Sequence, residues 1–248
     1  MPQQDMTREE WQLRVNLAAT YRLVALYGWD DLIFTHISAR VPGPEVHFLV
    51  NAYGMMFDEI TASSLVKVDL AGNKVSDSPY DINPAGFTIH SAIHEARDDA
   101  HVVMHLHTNA GVAVSVQENG LLPLSQTSLF PLCTLSYHDY EGVALYPEEK
   151  ARLVKDLGRT SNMILRNHGL LTVGKDCADA FLKMYIFNRA CEIQLMAQSG
   201  GSTLRTLPQS MIDNIREQFR MVTNNSGAAL AWPGLLRKLD RQCPGYDR

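Results

Sequence analysis

Two histidines in one apolar run have the types and spacing needed to bind a metal ion. His105 and His107 lie one residue apart in "VVMHLHTNAG". Residues i and i+2 of a β-strand point to the same face, so the run predicts two imidazoles side by side. Burying two imidazoles is unfavourable unless their nitrogens are satisfied. A divalent metal ion would satisfy both, but it needs at least one more ligand from elsewhere in the chain.

A third histidine stands at the end of another apolar run. His168 comes directly before Gly169 in "ILRNHGLLTVG", where a glycine allows a sharp turn and leaves room for a bound molecule. His105, His107 and His168 would form a three-nitrogen site with open positions, as in catalytic zinc sites. Imidazole also suits other divalent ions, so zinc is the first expectation, with manganese or cobalt as alternatives. The competing interpretation of each histidine is a hydrogen-bonded core residue.

Ionisable side chains are crowded in "SYHDYEG", which supplies Tyr137, His138, Asp139, Tyr140 and Glu141. A histidine with an ordinary pKa near ~6.5 can transfer protons at neutral pH, which makes His138 a candidate acid or base. The alternative is a polar loop whose side chains make turn hydrogen bonds.

Helical and strand patterns alternate around these residues. Thr7 to Glu10 fit a capping box, followed by a helical pattern that should stop near Gly28. Predicted strands are "IFTHISARV", "VHFLVNAYG", "LVKVDLAGNKV" with a Gly-Asn turn, "HVVMHLHT", and a strand pair in "SNMILRNHGLLTVG". Predicted helices are "FTIHSAIHEAR", "GVAVSVQENG", "YPEEKARLVKDLG", "DCADAFLKMYIFNRACEIQLMAQSGG" and "SMIDNIREQF", and the stretch containing "LSYHDYEG" is predicted to be rich in loops. The pattern predicts a single α/β or α+β domain over 1–248, with a C-terminal tail from about 203 to 248.

Composition excludes several classes of partner. The formal net charge is -5 and the basic residues are scattered, so we expect no binding to nucleic acid. No stretch approaches the ~20 apolar residues of a membrane span. The start lacks the layout of a signal peptide, and the four cysteines are far apart, as expected for reduced thiols in a cytoplasmic protein.

The paired histidine motifs resemble those of the class II aldolase/adducin head-domain family. The similarity runs in order through "IFTHISAR", "NAYG", "NPAGFTIHSAIHEARDDAHVVMH", "MHLHTNAG" and "LRNHGLLTVG". It implies an α/β/α sandwich around a central mixed, largely antiparallel sheet. It also implies a divalent metal held by His105, His107 and His168, a small-molecule substrate, and a homo-oligomer, commonly a tetramer.

The chain departs from the sugar-phosphate aldolases of that family at their phosphate and glutamate positions. Their Ser-Ser-Glu falls on Pro84, Ala85 and Gly86, and the asparagine of their first phosphate loop falls on His36. The resemblance therefore places His36, Gly54, Asn83 and Gly86 at the substrate, but without a phosphate grip or the family's glutamate. A sugar-phosphate substrate is disfavoured.

Other residues must then transfer the proton if the chain is an enzyme. Aligned on Gly142, His138 falls where the fuculose-phosphate enzyme has an assisting tyrosine, and Glu141 lies in the same segment. Tyr246 in "CPGYDR" could match a tail tyrosine that reaches a neighbouring subunit. His90 and His94, spaced i, i+4, are interpreted as packing histidines.

Three functions are compatible with this pattern. The first is a metal-dependent aldolase-type lyase for a small non-phosphorylated hydroxy-carbonyl compound. The second is a metal-dependent decarboxylase of a hydroxy-aromatic acid, since both reactions need a metal to accept electron density from a breaking carbon–carbon bond. The third is a non-catalytic adducin-like interaction module. The complete histidine trio and the absence of a long basic tail argue against it.

Overall fold

The chain folds around one seven-stranded sheet. The structure is a computed structural model and describes residues 6–142, 147–223 and 227–248. The strands are β1 His36–Arg40, β2 Phe48–Val50, β3 Val66–Val68, β4 Val102–Leu106, β5 Leu135–His138, β6 Asn162–Leu165 and β7 Gly169–Gly174. They lie in the order β3-β2-β1-β4-β7-β6-β5, and all pairs are antiparallel except β5 with β6. The predicted mixed, largely antiparallel sheet in a single-domain α/β fold is confirmed.

Helices cover both faces of this sheet. Those in the described part of the chain are α1 Arg8–Leu26, α2 Pro84–Ala96, α3 Asn109–Ser115, α4 Gln126–Leu132, α5 Pro147–Leu157, α6 Cys177–Ser199, α7 Gln209–Thr223 and α8 Gly227–Gln242. The larger core joins α1, α3, α6 and α8 to one face, and a smaller core joins α2 and α5 to the other. The three layers match the expected α/β/α sandwich.

Side-chain alternation in β4 explains how the sheet presents its histidines. Met104 and Leu106 pack in the larger core, whereas Val103 packs in the smaller one. His105 has the parity of Val103, so it points to the face that α2 covers. In β1, His36 lies opposite His105 in the register and therefore shares this face.

The first helix begins as predicted, but its capping box is only half formed. The Thr7 hydroxyl accepts a hydrogen bond from the backbone N–H of Glu10 at 3.1 Å. The Glu10 carboxylate instead accepts from Arg14 at 3.2 Å and from Lys67 at 2.8 Å. Arg14 and Lys67 hold the Glu10 carboxylate away from the helix start, and the bond from Lys67 ties α1 to β3.

The stretch predicted to be rich in loops contains a helix and a strand. Ser125 and Ser128 form a reciprocal capping box that starts α4. After it, β5 pairs in parallel with β6, and its last residue is His138. The loop prediction was wrong here because both elements are short and depend on their neighbours, α6 for the helix and β6 for the strand.

The C-terminal tail packs on its own chain. Leu239 of α8 is fully buried in the larger core. Beyond α8, the backbone oxygens of Tyr246 and Arg248 accept from the amides of Ala62 and Ser63, each at 2.8 Å. Within the described residues, no helix combines the length and apolar character required for a membrane span.

Candidate functional site

Three imidazoles converge where β4 ends and β6 turns into β7. The ring centroids of His105 and His107 are 4.8 Å apart, and His168 lies 4.6 Å from the first and 4.8 Å from the second. One ligand atom from each ring lies within 4.8 Å of the others. The structure thus brings the three predicted ligands together, at the floor of a cleft of about 730 Å³.

Hydrogen bonds to two of these rings determine which nitrogens carry protons. Nδ1 of His105 lies 3.0 Å from the carbonyl oxygen of Leu170, and Nδ1 of His107 lies 3.0 Å from a carboxylate oxygen of Asp31. Both partners can only accept, so each Nδ1 donates, and a neutral ring then has a lone pair on Nε2. Such partners orient histidine ligands in metal sites.

The two Nε2 atoms show that the donor set fits a cation. They lie 3.0 Å apart, so that two lone pairs face each other in a neutral pair. This contact is repulsive on its own, and a cation shared by both nitrogens would relieve the repulsion. Together with His168, the donors are the imidazole set that zinc and related divalent ions accept.

Burial keeps two of the three histidines, His105 and His168, in the neutral form that a metal requires. It lowers the pKa of His105 well below its usual range, with a further contribution from the neighbouring His168 and His107. Burial, and then His107, lowers the pKa of His168 to about 4. Because these rings are not charged at neutral pH, no proton has to leave them before an ion binds.

The turn that carries His168 needs an unusual backbone. Asn167 has φ +57°, in the left-handed region where asparagine is one of the better tolerated residues. A Cβ on Gly169 would lie 2.5 Å from the Leu106 carbonyl oxygen. Glycine therefore permits β7 to approach β4 closely enough for His168 to reach His105 and His107.

His36 and Gly86 form one wall of the same cleft. A Cβ on Gly86 would lie 2.0 Å from both Cδ2 and Nε2 of His36, so the imidazole occupies the space next to the helix start. Burial, followed by the nearby His107 and His168, lowers the pKa of His36 to about 3. Thr35, which precedes it, has φ +68° and a buried hydroxyl without a hydrogen-bond partner in the described residues. Such strain in a β-branched residue costs about 1–3 kcal/mol and is typical of functional sites.

The two other predicted substrate contacts occupy different environments. Asn83 lines the cleft beside Gly86. Gly54 lies in an exposed turn with φ +98°, outside the described lining of the cleft.

The ionisable segment presents Tyr140, rather than His138, to the cleft. The Tyr140 ring is 54% exposed, and its centroid lies 6.0 Å from that of His168. His138 is buried behind it, with Nδ1 donating to Asp156 at 2.8 Å and Nε2 3.8 Å from a carboxylate oxygen of Glu149. Burial raises the pKa of Glu149.

Glu141 is not among the described residues that line the large cleft. Its carboxylate pairs with the guanidinium of Arg152, which lowers the pKa of Glu141. The pair joins the segment that carries Tyr140 to α5.

Tyr246 is not brought to the cleft of its own chain. It packs in the larger core, and its hydroxyl donates to Asp240 at 2.9 Å. Burial, and then Asp240, raises the pKa of Tyr246 to about 12. The prediction that it serves a neighbouring subunit stays a prediction.

Sequence reasoning missed Asp31. Its bond to His107 spans 76 positions of the chain, and no local pattern distinguishes it from the adjacent Asp30. Tyr140 could have been found, because it stands among the ionisable residues that drew attention to its segment.

Comparison with known proteins gives a family match. Residues 15–195 match the family model of the class II aldolase and adducin N-terminal domain. A Pseudomonas aeruginosa protein whose name assigns it provisionally to the class 2 aldolases is 62% identical, over 98% of this chain and 95% of its own length. Rat alpha-adducin is 47% identical over 76% of this chain, which corresponds to only 26% of the adducin.

A solved structure shows the same architecture. The crystal structure of an aldolase II superfamily protein from Pseudomonas syringae is 50% identical, covers 98% of both chains and superposes with a TM-score of 0.92.

Proposed function

Because the chain belongs to the family of the class II aldolase and adducin N-terminal domain, we propose that it is a divalent-metal-dependent carbon–carbon lyase of the aldolase type. Its substrate is a small, non-phosphorylated hydroxy-carbonyl compound. The observation that carries this proposal is the convergence of three imidazoles, in which the Nε2 atoms of His105 and His107 lie 3.0 Å apart and a cation could bridge them.

His105, His107 and His168 would hold the ion, with zinc as the first choice and manganese or cobalt as alternatives. When bound, the ion would supply Lewis-acid polarisation of a carbonyl or hydroxyl oxygen of the substrate. The protein would orient two of these ligands through hydrogen bonds, from His107 to Asp31 and from His105 to the Leu170 carbonyl group.

Proton transfer is assigned to the segment "SYHDYEG", in which β5 ends at His138. Tyr140 is the ionisable residue of that segment that lines the cleft, and its phenol lies next to His168. His138 and Glu141 act as positioning residues, since their bonds to Asp156 and Arg152 fasten the segment to α5. Tyr140 would donate the proton to the carbon that is left electron-rich when the bond breaks.

The lining of the cleft supports a substrate without phosphate. Among the described residues that line it, none is lysine or arginine, so no fixed cation other than a bound metal would balance a phosphate dianion. His36, Asn83 and Gly86 stand at the side of the cleft where they would contact hydroxyl groups of the substrate.

The proposal extends to assembly and location. We infer a homo-oligomer, with four subunits as the expected number, in which the tail tyrosine Tyr246 lies near a neighbouring cleft. The four cysteines are free thiols, two of them buried, which is compatible with a cytoplasmic protein.

Two other functions are supported by specific observations. Phe34 and Val116 line the cleft and are 46% and 56% exposed, so an aromatic ring could lie against them, as decarboxylation of a hydroxy-aromatic acid requires. The 47% identity to rat alpha-adducin favours an interaction module without turnover. Release of carbon dioxide would identify the first of these alternatives.

The test combines metal analysis with a substrate panel. Purified protein should contain about one divalent ion per chain, and the loaded protein should cleave at least one compound of a hydroxyaldehyde and hydroxyketone panel. His107→Ala should lose both metal and turnover while keeping its circular dichroism spectrum. His101→Ala, at an exposed histidine, is the matched control. A metal-free wild type, or a loaded one inactive on the whole panel and on hydroxy-aromatic acids, would leave the interaction module as the explanation.

A further inference from the structure

Three histidines and a serine form a buried hydrogen-bonded chain that runs from the cleft into the protein. Nδ1 of His36 lies 2.7 Å from Nε2 of His90, whose Nδ1 lies 2.6 Å from Oγ of Ser38. The same Oγ lies 2.7 Å from Nε2 of His94, and Nδ1 of His94 lies 2.7 Å from the carbonyl oxygen of Ala100. The i, i+4 spacing of His90 and His94 puts both rings on the face of α2 that meets β1.

The carbonyl group at the inner end fixes the direction of every bond. A carbonyl oxygen only accepts, so His94 carries its proton on Nδ1 and accepts the Ser38 hydroxyl proton at Nε2. Ser38 has one proton, so its oxygen accepts from Nδ1 of His90. His90 then has a lone pair on Nε2, which accepts from Nδ1 of His36.

This assignment requires neutral rings, and burial provides them. Burial lowers the pKa of His94 to about 3, and it lowers that of His90 well below the usual range. Ser38 is fully buried between them. A second proton on His90 or His94 would reverse the bonds on the cleft side and put a proton on Nε2 of His36, so the assignment holds while both rings are neutral.

The outer end of the chain therefore leaves His36 with a lone pair on Nε2, beside Gly86 in the cleft. We propose that His90, Ser38 and His94 fix His36 as a hydrogen-bond acceptor for a neutral hydroxyl group of the substrate, and so select against a phosphate at this position. The proposal rests on the lyase function proposed above and specifies the substrate class of that site.

The preference follows from donor and acceptor chemistry. A hydroxyl group can donate to Nε2, whereas a phosphate oxygen is itself an acceptor and would face the lone pair. Gly86 contributes to this arrangement, because a Cβ there would lie 2.0 Å from the accepting Nε2 atom of His36. The hydrogen-bonded chain thus predicts a polyhydroxy substrate with a free hydroxyl group next to His36.

The tautomers can be measured directly, with or without metal. Long-range ¹H–¹⁵N correlation spectra of ¹⁵N-histidine-labelled protein distinguish a protonated Nδ1 from a protonated Nε2, and single Asn variants assign the signals. We expect Nδ1–H at His36, His90 and His94. An Nε2–H tautomer or a doubly protonated ring at His36, near neutral pH, would overturn the proposal. Because the metal-free protein gives the same readout, this result does not depend on whether the chain is a lyase.

Binding of a hydroxyketone tests the consequence for substrate. Zinc-loaded protein is titrated by calorimetry with dihydroxyacetone and with its monophosphate ester. We expect the neutral compound to bind more tightly, and Ser38→Ala to weaken that binding about 2- to 13-fold, the range of one hydrogen bond. Thr172→Val is the matched control, because it removes another buried hydroxyl of the same sheet. That hydroxyl donates to the carbonyl oxygen of Ala180 and takes no part in the His36–His94 hydrogen-bonded chain.

Each outcome has one meaning. Tighter binding of the monophosphate, equal affinity of Ser38→Ala and wild type, or no binding of dihydroxyacetone by the wild type would refute the hydroxyl preference. Absence of metal or of lyase turnover, with the expected tautomers still observed, would instead refute the proposed function.

Discussion

Replacing Asp31 tests how the protein prepares its metal ligands. The Asp31 carboxylate accepts from Nδ1 of His107 at 3.0 Å and thereby directs the Nε2 lone pair toward His105. Removing such a partner lowers metal affinity about 10- to 100-fold in known sites. The Asp31 side chain is 45% exposed, so water screens and replaces part of the interaction, and we expect the lower end of that range.

The expected loss for Asp31→Ala is therefore about tenfold in zinc affinity, or about 1.4 kcal/mol. Asp31→Asn should lose less, because an amide oxygen can still accept from Nδ1 although the charge is gone. Competition of the protein with a chromophoric chelator for zinc gives the dissociation constants.

Asp30→Ala is the matched control, since the adjacent carboxylate does not bond any of the three ligand histidines in the described structure. Circular dichroism would verify that the variants keep the fold. An Asp31→Ala affinity within twofold of wild type would show that the Asp31 carboxylate does not determine the orientation or the tautomer of His107.

Three further perturbations have defined outcomes. Gly86→Glu should lower native turnover, because its Cβ would lie 2.0 Å from His36 and displace the ring, whereas higher turnover would show that the missing carboxylate was never replaced. The free energy of unfolding of the metal-free protein should fall as pH drops below 6.5, by up to about 1.4 kcal/mol per pH unit for His94 alone, because its pKa is lowered to about 3 and only the unfolded chain takes up the proton. Urea midpoints that do not change between about pH 7.5 and 5 would contradict this. Deletion of the residues after Ala231 should lower the melting temperature, turnover and assembled mass, because it removes the fully buried Leu239, whose truncation to alanine alone should cost about 2–5 kcal/mol. Unchanged turnover, melting and light-scattering mass would refute the role of the tail.

The sequence was most informative where an element is long or its alternation strong. The i, i+2 spacing in a predicted strand placed His105 and His107 on one face, since strand geometry alone determines this. The 23-residue helix α6 was predicted to its terminal glycines because no proline or glycine interrupts it before that Gly pair. In contrast, α4 has seven residues and an internal proline, Pro131, so packing decides its conformation.

Among the metal ligands and the groups that orient them, only the histidines were predictable. Their residue type and the family motif identify them, but the partners that orient them come from distant segments through the fold. Asp31 precedes β1, and the Leu170 carbonyl group is a backbone atom of β7. Likewise, i, i+4 spacing placed His90 and His94 on one helix face, but only the structure shows that Ser38 stands between their rings.

The pairing of β1, β4 and β7 also makes the histidine cluster an indicator of the correct strand register. His36 lies opposite His105, which in turn lies opposite Leu171, so the cluster exists in one strand register only. A slip of one residue would turn every side chain of the shifted strand to the other face of the sheet. A misaligned chain could keep its secondary structure and much of its compactness but would lose the cluster. Stoichiometric metal uptake would therefore distinguish correctly aligned molecules from misfolded ones in a way that circular dichroism cannot.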